Sequence, residues 1–310
     1  MVGTVSSLLE LPGAVAAEGV DAGVAWHYGN PVAEQRRLDA GDGWTDLSHR
    51  DVVRISGPDR LGLLHAMTTQ QLDDLAPGEW TEALILSPHG HVEHHLAGVD
   101  DGETFVAHTD PGAAAGLVAF LTSMRFMLRV EVEPAADLAV VATGDGHRFV
   151  ARSALPGLVG ALGVPSGTWA YEALRIAAGR PRLGLDTDHR TIPNEVGWIG
   201  SAVHLDKGCY RGQETVARVH TLGRPPRRLV LLHLDGTADR LPAVGADLVL
   251  DDRAVGRVGS SARHHELGPV GLGLVKRSIA TDAELLADGV LAGQEVLVDP
   301  EVGLHVRPRR

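Results

Sequence analysis

The sequence predicts an α+β fold whose C-terminal part is a small β-barrel. Two observations carry the prediction. Over the first two thirds of the chain, helix-period and strand-period segments follow one another without regular βαβ alternation, which favours antiparallel sheets over a doubly wound sheet. Beyond Gly223 the texture changes to short apolar runs set at even intervals between glycine-rich turns, the pattern of a barrel.

Val52 to Gly57 reads as a short strand that ends in the turn Gly57-Pro58-Asp59. Arg60 to Thr68 then carries Leu61, Leu64 and Met67 at helical spacing, with Asp59 as its expected N-cap. Ala83 to Leu86 and His91 to Val99, separated by Ser87-Pro88-His89-Gly90, have the spacing of a β-hairpin. Thr104 to His108 suits a strand, Pro111 to Met124 a helix with Leu117, Phe120 and Leu121 on its apolar side, and Leu128 to Val132 the next strand. A second αβ portion runs from Leu138 to Gly179, with a helix over Thr168 to Ala178 stopped by Gly179-Arg180-Pro181. Arg224-Pro225-Pro226 marks a linker or strand-start kink, and barrel strands are expected at 229–234, 247–250, 253–260, 270–275 and 295–298. The domain division that follows is an αβ body over 1–223, made of two subdomains that need not be contiguous, and a barrel over 224–310.

At 310 residues, 44% apolar and 22% charged, the chain is long enough for more than one core. Twenty-eight basic against 40 acidic residues give a net charge of -12, which argues against general affinity for nucleic acid. Arg224, Arg227 and Arg228, and the terminal Arg307, Arg309 and Arg310, are read as solvated surface charge. No apolar run approaches the roughly 20 residues that span a bilayer, and Met1 to Gly13 lacks a signal-peptide pattern. No membrane association is expected, and a cytoplasmic location is. The single cysteine makes no internal disulfide, in keeping with a reducing compartment.

That cysteine, Cys209, lies in Lys207-Gly208-Cys209-Tyr210-Arg211-Gly212-Gln213-Glu214. Lys207 and Arg211 flank it with positive charge that favours a thiolate, and two glycines allow close backbone approach. A lone cysteine is more often a small buried hydrophobe than a nucleophile, and spacing does not separate the two.

The octet resembles the K-G-C-Y-x-G-Q-E signature of the YgfZ family without a mismatch. Upstream, Arg175 to Pro181, Gly184-Leu185-Asp186 and Pro193-Asn194-Glu195 are similar to the approach to that signature, both in this family and in the related T-protein of the glycine cleavage system. Asp46-Leu47-Ser48, Ile55 to Asp59 and Thr68 to Leu72 resemble the folate-binding domain that both share. The resemblance implies a T-protein-like body of two αβ portions around a central folate cavity, with a C-terminal barrel. It implies a tetrahydrofolate or a derivative as cofactor, and a role as an accessory factor in iron–sulfur cluster assembly or repair with client or assembly proteins as partners. Cys209 is then the functional thiol, with Lys207, Tyr210, Gln213 and Glu214 beside it. Glu195 stands where the T-protein places a glutamate on the pterin, and a carboxylate suits an amino-pyrimidine edge because it accepts two parallel hydrogen bonds. Trp198 is a candidate to stack on the ligand or to fill a core. Arg175, Arg218, Arg224 and Arg227 are candidate partners for the glutamyl tail, unranked by sequence.

The T-protein also carries paired aspartates in a stretch that here reads Gly90-His91-Val92-Glu93-His94-His95. Imidazoles do not supply the fixed negative charge of carboxylates. Aminomethyltransferase-like chemistry is therefore the alternative expectation, not the leading one. His89, His91, His94 and His95 lack a recognised metal-site spacing, and no stably bound metal is expected. An iron–sulfur cluster ordinarily takes about four ligands such as thiolates, so Cys209 by itself contributes only to a shared or transient site.

Overall fold

The computed structural model describes residues 5–221 and 223–301. In chain order the elements are β1 (Val15–Ala16), β2 (Ala25–His27), α1 (Pro31–Asp39), β3 (Trp44–Asp46), β4 (Asp51–Ser56), α2 (Arg60–Met67), β5 (Trp80–Leu86), β6 (Val92–Asp100), β7 (Thr104–Thr109), α3 (Ala114–Met124), β8 (Glu131–Pro134), β9 (Leu138–Thr143), β10 (Gly146–Ala151), α4 (Leu155–Leu162), α5 (Thr168–Ala177), α6 (Gln213–Thr221) and the strands β11 (Arg227–Leu234), β12 (Asp247–Leu250), β13 (Arg253–His264), β14 (Gly268–Lys276), β15 (Leu285–Ala287) and β16 (Val290–Val296). The architecture is α+β with antiparallel strand pairing in its named strands, as the irregular order of periods predicts.

The chain divides into two units, each assembled from separate stretches. One holds residues 1–60, 76–80 and 97–174, the other 61–75, 81–96 and 175–310.

In the first unit β4 pairs with β7 on one side and β8 on the other, and β7 pairs with the end of β6. A second sheet of order β10-β9-β3 lies in the same unit. β9 is buried over Ala139 to Ala142 because its two faces meet two clusters, Leu8, Trp44 and Leu155 on one and Leu47, Val52 and Ala135 on the other. An isolated apolar run of this kind is what a strand covered on both faces requires. α1 starts by the rule for helix N-termini: Asn30 accepts from the Ala33 amide at 3.0 Å and Pro31 occupies the first turn.

The expected N-cap of α2 is corrected. The Asp59 carboxylate accepts from the backbone amide and the guanidinium of Arg129 at 2.8 to 3.3 Å. The backbone amide and guanidinium of one residue together engage both carboxylate oxygens, which draws the side chain away from the helix start. α3 begins at Ala114 and not Pro111, since Pro111-Gly112 forms a turn with Gly112 at φ 82°. β8 begins at Glu131 and not Leu128 because the chain reverses through Phe126, which sits at φ 44°.

In the second unit β11-β14-β13-β12-β15-β16 close into a barrel. Val230, Leu232 and Leu234 alternate inward along β11 and meet Leu248, Val258 and Leu285. Three-residue β15 lacks the length to show as a strand in sequence, and β16 begins at Val290, five residues before the expected start at 295. Arg228 is corrected from solvated charge to a fully buried side chain that donates to the Lys276 and Arg277 carbonyls and to Gln294. The basic cluster Arg307, Arg309 and Arg310 lies outside the described residues. Among the described residues no helix is long and apolar enough to cross a membrane.

Candidate functional site

The octet forms the turn that leads into α6, in the second unit. Lys207 is buried, and its ammonium donates to the carbonyls of His65, Thr68 (2.6 Å) and Gln70 (3.1 Å). Three protons meet three acceptors, so the donor capacity of the group is fully engaged. Two of those carbonyls belong to the end of α2 and the residue after it, where helix geometry leaves C=O groups without partners and a cation is favoured. Burial pushes the Lys207 pKa down to about 8, against a smaller opposing pull from Asp73. The same ammonium lies 5.2 Å from the centroid of the Tyr210 ring, within cation–π range. Tyr210 is itself buried, and burial pushes its phenol up to about 12. Lys207 and Tyr210 therefore hold the loop and do not face solvent as reactive groups.

The two glycines of the octet differ in kind. Gly212 adopts φ +80°, and a Cβ there would lie 2.5 Å from the Ser87 carbonyl and 3.0 Å from Gly90 Cα. Only glycine permits this contact between the octet and the β5–β6 turn. Gly208 has open space where a Cβ would go. Between them Cys209 is exposed and makes no disulfide. Gln213 and Glu214 open α6, with Glu214 exposed.

Glu195 lies in a one-turn 3-10 helix, Pro193–Glu195, and is completely buried. One oxygen accepts from Arg227 Nε at 2.8 Å, the other from Arg227 Nη2 at 2.8 Å and from the Ile192 amide at 3.1 Å. Arg227 turns its outer edge to Asp188 at 2.6 and 3.2 Å. Burial alone would raise the Asp188 pKa, but the bonds from Arg227 and the Arg190 amide hold it well below the carboxylate range. Burial by itself would lower the Arg227 pKa, but its hydrogen bonds to Glu195 and Asp188 raise it. The bidentate face that the T-protein resemblance would give to a pterin is thus occupied by a guanidinium.

Trp198 is buried with its ring 5.2 Å from that of His95, and His95 Nε2 lies 3.3 Å from Glu82. Arg175 is buried in an ion pair with Asp186 at 2.9 Å and donates to Ser260 at 2.7 Å, so it is not presented to a ligand tail. Arg218 is exposed on α6, and Arg224 pairs with Glu301 at 2.6 Å. Asp188 is not singled out by the sequence, and Asp186 enters it only within the Gly184-Leu185-Asp186 resemblance; no local pattern distinguishes an aspartate that grips a buried arginine from one in solvent.

His94 is half-buried, and its burial lowers its pKa, an effect that Glu93 opposes. Glu93 points outward to Arg211 at 3.1 Å. The rings of His89 and His91 stand 6.2 Å apart. Among the described residues no group of three or more His, Cys, Asp or Glu side chains is arranged to hold a metal ion.

No protein-family model matches the chain. A chloroplastic protein of Arabidopsis thaliana, provisionally named as a transferase, is 23% identical over 88% of this chain and 73% of its own length. The tRNA-modifying protein YgfZ of Yersinia enterocolitica is 42% identical over 77 residues, which span 24% of this chain and 23% of that protein. An aminomethyltransferase of Nitrosococcus oceani is 24% identical over 56% of this chain and 61% of its own length. Among solved structures, the glycine cleavage system aminomethyltransferase T of Bartonella henselae superposes with a TM-score of 0.77 over 97% of this chain and 98% of its own, at 16% identity. The fold is that of aminomethyltransferase T, and the chain is a YgfZ-like relative of the T-protein.

Proposed function

We propose that this protein is a tetrahydrofolate-binding accessory factor for iron–sulfur cluster assembly or repair, acting in the cytoplasm, with Cys209 as its working group. The observation that carries the reading is the division of labour within the octet. Lys207, Tyr210 and Gly212 are committed to packing and hydrogen bonds that hold the turn, and Cys209, the octet's thiol, is exposed between them. A rigid turn that displays one thiol suits a group that meets a partner rather than one that fills a core. With a single thiolate the protein contributes one ligand to a cluster or a transfer intermediate, and its partner supplies the rest.

The folate part of the reading rests on the likeness to the YgfZ and T-protein families. Glu195 as folded does not offer its carboxylate edge, so a pterin contact there requires Arg227 to withdraw to Asp188. The tRNA modification named for the YgfZ relatives receives no support from charge, since a net of -12 opposes general polyanion binding.

The test is to express Cys209→Ala in cells that lack the protein and to assay cluster-dependent enzymes. Loss of rescue supports the reading, and full rescue removes the thiol from it. Calorimetry with tetrahydrofolate on the wild type tests the cofactor separately.

A second reading, an aminomethyltransferase-like enzyme, is favoured by the whole-chain match to aminomethyltransferase T. Against it, burial lowers the His94 pKa and disfavours its charged form, and an imidazole supplies no fixed negative charge where the T-protein carries aspartates. Release of methylenetetrahydrofolate from an amine donor would favour this second reading.

A further inference from the structure

Arg50 lies in the turn between β3 and β4 of the first unit, where its amide donates to the Leu47 carbonyl at 2.9 Å. Its side chain is buried at 8% exposure, yet among the described residues it makes no ion pair and no hydrogen bond. Arg60, Arg175 and Arg228, also buried, spend their donors inside the protein: on Asp100, on Asp186 and Ser260, and on two carbonyls and Gln294.

A guanidinium does not shed its proton, so a buried one without a partner keeps its charge at a desolvation cost. The aspartates on either side in sequence do not serve it. Asp46 accepts from the Ser6 hydroxyl and the Ser48 amide, and Asp51 accepts from the Ala114 amide. Of the three guanidinium nitrogens only Nε is enclosed without a partner. Nη1 and Nη2 therefore retain accessible surface, and together they form an edge that grips a carboxylate through two parallel bonds.

The group beneath this edge is held in place. Arg50 Cζ stands 5.5 Å from the centroid of the Tyr171 ring on α5, within cation–π range. The Tyr171 hydroxyl is hydrogen-bonded to His147 Nε2 at 2.9 Å, and His147 Nδ1 to His108 Nε2 at 3.2 Å. That chain of bonds fixes the ring under the guanidinium. Beyond His147 the aromatic surface continues as Trp80, whose ring lies 5.8 Å from that of His147 and stacks on Phe149 at 5.4 Å. Tyr171, His147, Phe149 and Trp80 are each half-buried, so part of this surface meets solvent.

The charge of the missing partner follows from the cations present. Both lysines of the chain, Lys207 and Lys276, lie in the second unit. Arg152, which reaches the Ser48 carbonyl, gives its Nε and Nη2 to backbone carbonyls. A single guanidinium balances one negative charge, which favours a carboxylate over a phosphate dianion.

We propose that Arg50 anchors the carboxylate of a small organic ligand whose aromatic ring lies against the half-buried surface of Tyr171, His147 and Trp80. The assignment does not rest on the folate reading: the benzoyl-glutamate end of a folate carries this chemistry, and so does a free aromatic acid.

The experiment titrates the 15N-labelled full-length protein with benzoate. The expected result is a saturable shift of the Arg50 Nε–H signal and of the Trp80 indole N–H signal. Benzamide, which has the shape without the charge, and acetate, which has the charge without the ring, should each bind about tenfold more weakly. Arg50→Gln should abolish the Trp80 shift, and Arg50→Lys, which keeps the charge and loses the fork, should weaken binding about tenfold. Trp80→Leu should weaken benzoate, read at Arg50, and leave acetate unchanged. The comparison with benzamide and acetate needs no variant, so it stands if Arg50→Gln fails to fold. Tetrahydrofolate separates the two sources: displacement of benzoate assigns the anchor to a folate tail, and benzoate that stays bound under saturating tetrahydrofolate assigns it to a separate acid. A wild type that takes benzoate and shows no tetrahydrofolate binding removes the folate reading and leaves this one standing. No saturable shift with benzoate, equal binding of benzamide or acetate, or unchanged shifts in Arg50→Gln would each overturn the assignment.

Discussion

Arg227 holds Glu195 by two parallel hydrogen bonds of 2.8 Å, in a place where Glu195 has no exposure. A buried pair broken from one side leaves an uncompensated charge, which costs about 3–5 kcal/mol. Glu195→Ala should fall near the lower figure, because Arg227 keeps Asp188 as a partner. Urea unfolding measures it. A loss below about 1 kcal/mol would show that the pair contributes little to the fold. Glu195→Gln keeps the shape and one acceptor, and is the better variant for a folate titration.

Lys207 and Cys209 are two residues apart and should respond in opposite ways. Lys207→Met removes a donor from three carbonyls at once, and buried acceptors without partners cost about 1–3 kcal/mol each. A drop of at least about 2 kcal/mol in unfolding free energy is expected. Cys209→Ala at an exposed position should stay within about 0.5 kcal/mol. A large loss of stability in the cysteine variant would mean that failed rescue in cells reports folding and not thiol chemistry.

The glycines of the octet should separate in the same way. Gly212→Ala meets both a positive φ and a 2.5 Å approach to the Ser87 carbonyl. It should cost more than about 2 kcal/mol, in the range of strained backbone positions. Gly208→Ala enters open space and should be nearly neutral. Thermal unfolding of the two variants side by side checks the contrast.

Asp188 sets an acid limit. Its folded pKa is depressed, chiefly because Arg227 and backbone donors outweigh its burial. The unfolded chain therefore takes up a proton first, near the reference value of 3.8. The stability this carboxylate contributes is present above pH 3.8 and is lost as pH falls through the folded value. Asp188→Asn should flatten the decline of stability below pH 3.8 and leave the slope between pH 5 and 7 unchanged, as read from denaturant midpoints across pH.

Local periodicity carried the α+β class, the β5–β6 hairpin, α2, α5 and most barrel strands, because alternation at periods 2 and 3.6 is written residue by residue. It missed β15, which is three residues long, and α1, where Asn30 and Pro31 precede a polar segment without an apolar stripe. The octet was legible as a signature, and so was the oddity of one cysteine among charges. What the sequence by itself determined was therefore the kind of fold and the octet as a recognisable signature. Only the tertiary structure decided which packing and hydrogen bonds its members make. Lys207 reaches carbonyls about 140 positions earlier in the chain, Gly212 meets Ser87, and Glu195 finds Arg227 across 32 residues. Such pairings depend on how distant segments pack, and a charge that will be buried against a partner is spelled the same way as one left in water.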